Sequence, residues 1–544
     1  MKFMDYLKSI SREKGLSKHL LEMSKFKLIL LTALFLVFFD NFSFFKHVIS
    51  IYPVSIQNIT VLISLAIFLT TVITIVFTLL CWKHTTKPAL ITILIASSIA
   101  SYFMNNYNIV IDDIMIQTIF ETNLKETLDL LSFKLLVHLT LTGILPSILI
   151  YKTKIKYKSI IKELSSGMMI LFGALLILIA ITFAQSDFYF SFFREHKPLR
   201  YYTNPTYLLY AVGKHINNKI NNEEIGLTPI GTDANIPETD KDRELIILVV
   251  GEAARADRFS LNGYSRETNP LLKKEDIINF TNMHSCGTLT AVSVPCMFSV
   301  FSRDEYSEKK ARSHYNIIDV LHNAGVNILW RDNNSSSKGV ALRVPYEDFR
   351  TPENNPICDI ECRDEGMLVG LQEYIDSKEN GDILIVLHQM GNHGPAYYKR
   401  YPKSFEKFKP VCKTNQLEKC SNEEISNAYD NAILYTDYFL SKVIALLKNN
   451  PEFETAMFYL SDHGESLGEN NIYLHGMPYF IAPETQTHIP AIIWFGDGFK
   501  IDKKAIEKRS DNKYSQDNLF HTLLGLMEID TEIYDEKMDI THIQ

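Results

Sequence analysis

The chain has 544 residues, too many for one small core, so at least two domains are expected. A formal net charge of −8 with no clustered Lys/Arg field argues against a nucleic-acid partner. Hydrophobic residues are 46% of the whole, yet they crowd into roughly the first 190 residues, and the remainder reads as a water-soluble protein.

Five apolar segments come first: Lys27–Phe45, Ile59–Trp82, Pro88–Met104, Phe133–Ile150 and Gly167–Gln185. Each is near the ~20 residues a helix needs to cross a bilayer. Asp40 and Asn41 interrupt the first, whose alternative is a helix lying at the interface, because a mid-membrane carboxylate is costly. Charge orients the set. Lys2, Lys8, Arg12, Lys14 and Lys18 precede the first segment, Lys83 and Lys87 follow the second, and Lys152, Lys154, Lys156, Lys158 and Lys162 follow the fourth. The loop between the third and fourth is acidic, with Asp112, Asp113, Glu121, Glu126 and Asp129. Basic loops stay in the cytoplasm, so five crossings place everything after residue 186 outside. No small-residue cleavage site follows the first segment, which argues against a removable signal peptide.

The run Phe188-Tyr-Phe-Ser-Phe-Phe-Arg-Glu-His-Lys-Pro-Leu-Arg-Tyr-Tyr202 mixes aromatics with bases and suits the headgroup layer, an ordinary core helix being the alternative. A polar linker then runs from Asn221 to Asp242. The expected organisation is therefore a helical membrane domain over 1–186, an interfacial helix and linker over 187–242, and an α/β domain over 243–544.

In that last region four apolar runs each end in polar chemistry. Leu245–Val250 leads into Gly251-Glu252, and Val326–Trp330 into Arg331-Asp-Asn-Asn-Ser-Ser-Ser-Lys338. Ile383–Leu387 leads into His388-Gln-Met-Gly-Asn-His393, and Ala456–Leu460 into Ser461-Asp462-His463-Gly464-Glu465. Apolar runs alternating with helical patterns predict a mainly parallel α/β sheet, and such sheets bind ligands at the carboxyl ends of their strands. Glu252, Asp462 and His463 offer two carboxylates and an imidazole, suitable for zinc or manganese with a position left open.

Six of the seven cysteines fall in close pairs, Cys286 with Cys296, Cys358 with Cys362 and Cys412 with Cys420, which predicts disulfides and an oxidising compartment. No pair has the C-x2-C spacing of a zinc knuckle. The first pair encloses Thr288, Thr290 and Ser293, and spacing alone leaves all three hydroxyls open as nucleophiles for metal-assisted chemistry.

The segments Gly251-Glu252-Ala-Ala-Arg-Ala-Asp257, Cys286-Gly-Thr-Leu-Thr-Ala-Val-Ser-Val-Pro-Cys296, His388-Gln-Met-Gly-Asn-His-Gly-Pro395 and Ser461-Asp-His-Gly-Glu-Ser-Leu-Gly-Glu469 resemble those of the lipid A phosphoethanolamine transferases, a group that includes mobile colistin-resistance (polymyxin-resistance) enzymes. The resemblance runs along essentially the whole chain. It implies an alkaline phosphatase/sulfatase fold, a Zn2+ ion held by Glu252, Thr290, Asp462 and His463, and Thr290 as nucleophile. It gives His393 and His475 the transferred phosphate or its protons, and Asn334, Ser335 and Lys338 the donor headgroup. Thr122 and Glu126 match loop positions linked to donor binding, whereas Thr118 stands where relatives have asparagine and Ala253 where a threonine is expected.

The reaction implied is transfer of phosphoethanolamine from phosphatidylethanolamine, in the bacterial inner membrane, to lipid A or a related anionic envelope acceptor, through an ester on Thr290. A hydrolase or a phosphoglycerol transferase of the same superfamily would share the metal site. A membrane-anchored metal sensor would not need the Thr290 hydroxyl.

Overall fold

The computed structural model describes residues 22–121, 130–221 and 226–542 and separates into two compact units. The first comprises residues up to 116 together with 131–216, and the second comprises 117–130 with 217–544.

In the first unit, Ile59–Leu80, Thr86–Tyr107, Phe133–Lys152 and Ile160–Ala184 are each long and apolar enough to span a membrane. Serine caps open two of these helices: Ser55 accepts the Asn58 amide and Ser132 the Leu135 amide. Ile160–Ala184 is apolar all round yet exposes Met168, Phe172 and Phe183, a surface that water does not favour and lipid does.

The first predicted segment is a bent pair instead of one straight helix, Lys25–Phe39 and Phe42–Ile51, meeting at 56°. The break falls on Asp40-Asn41 because their polar groups are held from the side. Asn41 donates to the Leu36 carbonyl and accepts the Asn204 amide at 2.8 Å, while Asp40 accepts from Ser101 at 2.9 Å. Buried polar groups in such surroundings persist only when partnered.

The predicted cytoplasmic ends also meet. Strand β1 (Glu22–Ser24) pairs in parallel with β2 (Lys154–Lys156), and Lys25 lies 3.4 Å from both Glu163 and the Cys81 carbonyl. The aromatic run folds as a helix, Ser186–Glu195, and a 3-10 turn, Lys197–Tyr202. It packs on the earlier bent pair through Tyr52 against Phe188 and His47 against Tyr202.

The second unit is built on an eight-stranded sheet. Its strands in chain order are β3 (Glu244–Gly251), β4 (Ile277–His284), β5 (Asn327–Asp332), β6 (Tyr346–Asp348), β7 (Ile383–His388) and β8 (Glu454–Ser461), then β11 (His488–Phe495) and β12 (Tyr514–Ser515). A separate small hairpin joins β9 (Ser466–Leu467) to β10 (Tyr473–Leu474). The order across the sheet is β12-β4-β11-β8-β3-β7-β5-β6.

All neighbours are parallel except β11, which runs against both β4 and β8. β3, β7 and β8 are buried on both faces, and their unbroken apolar sequences reflect it. One covering helix, Asn422–Lys448, starts with a capping box between Ser421 and Glu424. All three predicted disulfides are present, and the remaining cysteine, Cys81, is buried.

Candidate active site

Three parallel strands end side by side, and each delivers one part of the site. β3 runs into Glu252, whose side chain is fully buried. β8 runs into Asp462 and His463, equally buried, and the register pairs Gly251 with Ser461. Gly391, just past β7, sits at φ 49° with its α-carbon against the Glu252 backbone, where a Cβ would lie 2.9 Å from the Glu252 carbonyl oxygen. That close approach is a reason for glycine at this position.

The three side chains converge. Glu252 Oε1 is 3.5 Å and Asp462 Oδ2 3.3 Å from His463 Nε2. Asp462 spends its other oxygen on the Ala253 and His463 amides, at 3.0 and 2.7 Å. Ala253, at a left-handed φ of 54°, aims that amide. His463 Nδ1 donates to the Gly464 carbonyl at 2.8 Å, which leaves Nε2 as the nitrogen facing the carboxylates. Glu252 Oε1 and Asp462 Oδ2 are both buried and meet no hydrogen-bond donor.

Burial, and then Asp462, push the Glu252 carboxyl up to about 7. Burial disfavours a charged His463, but Asp462 and Glu252 outweigh it and raise its pKa. Two buried carboxylates facing one imidazole demand positive charge between them. Orphaned oxygens, an imidazole nitrogen and a hydroxyl form a donor set that fits zinc.

The three candidate hydroxyls now separate. Thr288 donates to the Met477 carbonyl at 2.6 Å, and Ser293 is fully buried. Thr290 donates to Glu252 Oε2 at 3.1 Å and lies 3.4 Å from His463 Nε2. It is the first residue of the helix Thr290–Met297, where the helix dipole favours negative charge. The Cys286–Cys296 bridge ties the approach of this helix to its last turn.

Thr290, Ser335, Lys338, His393 and His475 line one small cavity of about 30 Å³, together with Thr118, which belongs to the same unit. Lys338 reaches its position through a left-handed φ of 51°. Desolvation, and then Arg400 and His475, hold His393 well below the ordinary histidine range, so it enters the pocket as a neutral ring.

Asn334 donates to Glu252 Oε2 at 2.7 Å and to the Gln389 carbonyl at 2.8 Å, bracing the carboxylate oxygen that also accepts the Thr290 hydroxyl. Thr122 and Glu126 lie outside the described residues.

One pair was not foreseen from sequence. His475 Nδ1 donates to buried Glu465 at 2.6 Å, and Glu465 also accepts from Tyr397 at 2.6 Å. The His475 ring lies 4.3 Å from that of His463. The only trace in the sequence is that Glu465 closes the Asp-His-Gly-Glu run.

The chain is similar to known proteins over most of its length. A sulfatase family model matches residues 244–529, and one described as phosphoethanolamine transferase EptA/EptB matches residues 69–220. Over 521 residues the chain is 42% identical to phosphatidylethanolamine transferase Mcr-2 of Escherichia coli, covering 93% of this chain and 96% of that one. Its fold is similar to the integral membrane lipooligosaccharide phosphoethanolamine transferase A (EptA) from Neisseria meningitidis, with TM-score 0.92, 35% identity, and coverage of 96% and 99%. The C-terminal periplasmic domain of phosphoethanolamine transferase EptC from Campylobacter jejuni is similar over 58% of this chain and 97% of its own, with TM-score 0.52 and 45% identity.

Proposed function

The chain belongs to the phosphoethanolamine transferase family, and from that premise we propose that it moves phosphoethanolamine from phosphatidylethanolamine to lipid A through an ester on Thr290. The first unit sits in the bacterial inner membrane and the second faces the periplasm. The observation that carries the reading is the Thr290 hydroxyl, 3.1 Å from Glu252 and 3.4 Å from His463 Nε2 at the mouth of a pocket.

Glu252, Thr290, Asp462 and His463 would hold zinc, and when bound the ion supplies a Lewis acid that lowers the pKa of a coordinated hydroxyl. Glu252 accepts the Thr290 proton and fixes the direction of its oxygen, while Asn334 braces Glu252. Thr290 Oγ1 attacks phosphorus, and the bond to the diacylglycerol oxygen breaks. Glu465 holds Nδ1 of His475, so the opposite nitrogen is the one available to give that leaving oxygen its proton. Lys338 and the positive end of the Thr290 helix dipole lie where charge grows on the phosphoryl oxygens.

A lipid A phosphate then attacks the same phosphorus and gives its proton to His475, while the departing Thr290 oxygen takes back the proton held on Glu252. Each transfer adds one ammonium to the outer surface, which weakens attraction for cationic peptides such as polymyxin. Thin-layer analysis of headgroup transfer from labelled phosphatidylethanolamine tests the reading. Transfer is expected with the native chain and not with Thr290→Ala, and label released only as free phosphoethanolamine would make the protein a hydrolase.

A further inference from the structure

The amino-terminal ends of the same central strands hold a second concentration of charge. The register sets Glu244, opening β3, beside Glu454, opening β8. Like charges directly opposite on neighbouring strands cost stability unless something lies between them. Asp382 immediately precedes β7 and accepts the Glu244 amide at 3.2 Å. Asp240 comes from the approach to β3, and Glu528 from just past the helix Leu519–Leu526, in a left-handed conformation with φ 49°. Carboxylate oxygens of Asp240, Glu244 and Asp382 lie within 4.8 Å of one another, and so do those of Glu244, Glu454 and Glu528.

These are not ordinary surface acids. Glu244 is 0% and Asp382 2% exposed. Both Glu244 oxygens, Asp382 Oδ2 and Asp240 Oδ2 meet no N–H or hydroxyl donor, and the Glu244 and Asp382 carboxyls are close enough to share a hydrogen bond. Two positive groups lie nearby, Arg243 acting on Asp382 and Lys500 pairing with Glu454, and neither hydrogen-bonds Glu244. Arg243 donates to the Lys378 and Gly381 carbonyls, and exposed Lys500 bridges Glu454 and Asp242. A buried carboxylate set against a second carboxylate is costly unless a proton or a cation lies between them. Burial, and then Asp382, push Glu244 up to about 9, so positive charge is wanted here as a proton or as a cation.

We propose that Asp240, Glu244 and Asp382 bind a hard divalent cation of the calcium or magnesium class, with Glu454 and Glu528 closing the shell on the other side of Glu244. The set is carboxylate oxygen throughout, the donor chemistry of calcium and magnesium and not of zinc. Glu244 and Glu252 sit at opposite ends of β3, roughly 26 Å apart at ~3.3 Å per residue, so this site is separate from Thr290. Its cation ties together the starts of β3, β7 and β8, whose far ends carry the candidate active site.

The test uses the full chain in detergent, zinc retained, in divalent-free buffer, titrated separately with calcium chloride and magnesium chloride while melting is followed. One of the two at about 1 mM is expected to raise the melting temperature by roughly 3–6 °C. Glu244→Gln is expected to abolish the rise. Glu528→Gln, on an exposed residue whose change leaves the core intact, is expected to weaken the cation's apparent affinity several-fold. If neither salt moves the native melting point, or if the rise is the same in both variants, the proposal fails and Glu244 and Asp382 share a proton instead.

Discussion

The two ends of one sheet make an instructive pair. At the carboxyl ends of β3 and β8, Glu252 and Asp462 are joined by an imidazole and a hydroxyl, and the cluster opens on a pocket. At the amino ends of the same strands, Glu244 and Glu454 are joined by further carboxylates. Both ends bury negative charge that the fold leaves short of donors. They differ in what completes the set. Mixed nitrogen and oxygen donors with a hydroxyl suit a borderline metal and chemistry, whereas carboxylates alone suit a hard cation and rigidity. Acidic density by itself therefore does not identify an active site, but the nucleophile beside it does.

Perturbing each end in turn would sharpen the contrast, and the carboxyl end should respond most. Glu252→Ala and His463→Ala are expected to lose bound zinc, measured by metal analysis of purified protein, together with transfer activity by about 10³-fold or more. Retained zinc in both variants would refute the ligand set. Asn334→Ala leaves the four ligands but frees Glu252 from its brace, so zinc affinity should fall by about 10–100-fold, read by competition with a chelator. An unchanged affinity would return Asn334 to a purely donor-binding role.

Reduction of the disulfides should act on stability. Loss of the Cys286–Cys296 bridge is expected to cost about 2–4 kcal/mol, seen as a lower melting temperature in strong reductant. Unaltered melting would mean that the loop around Thr290 is held by packing alone.

The remaining effect belongs to the amino end and depends on pH. Glu244 has a folded-state pKa of about 9, above its ordinary 4.5, so the folded chain binds this proton more tightly than the unfolded chain. Its contribution is fully present below about 4.5 and is lost as pH rises towards 9. Asp240, Asp382, Glu454 and Glu528 face it, with Lys500 the nearby ammonium. In divalent-free buffer, melting temperature should decline across that window, and Glu244→Gln should flatten the decline. A native chain with no slope would show that the carboxylates are neutralised in another way.

Much of this was legible in the sequence because burial on both faces writes itself as unbroken apolar runs. Leu245–Val250, Val326–Trp330, Ile383–Leu387 and Ala456–Leu460 fall on β3, β5, β7 and β8, and the polar residues after them meet at one edge. β11 escaped this reading because it runs antiparallel, so its carboxyl end points away from the site and carries no chemistry. The bent first membrane segment was signalled by Asp40-Asn41, but its angle depends on Asn204, more than 160 residues later. The brace from Asn334 to Glu252 and the pair of His475 with Glu465 depend on side-chain rotation, which periodicity does not encode. The amino-end carboxylates lie scattered from Asp240 to Glu528 and assemble only through the strand register.

The central claim is that Thr290 becomes the carrier of the transferred group. Its most direct test is peptide mass spectrometry of the full chain quenched after exposure to phosphatidylethanolamine without an acceptor. A single phosphoethanolamine adduct on Thr290, discharged when lipid A is added, is the predicted result. An adduct on another residue, or one that persists in Thr290→Ala, would contradict it.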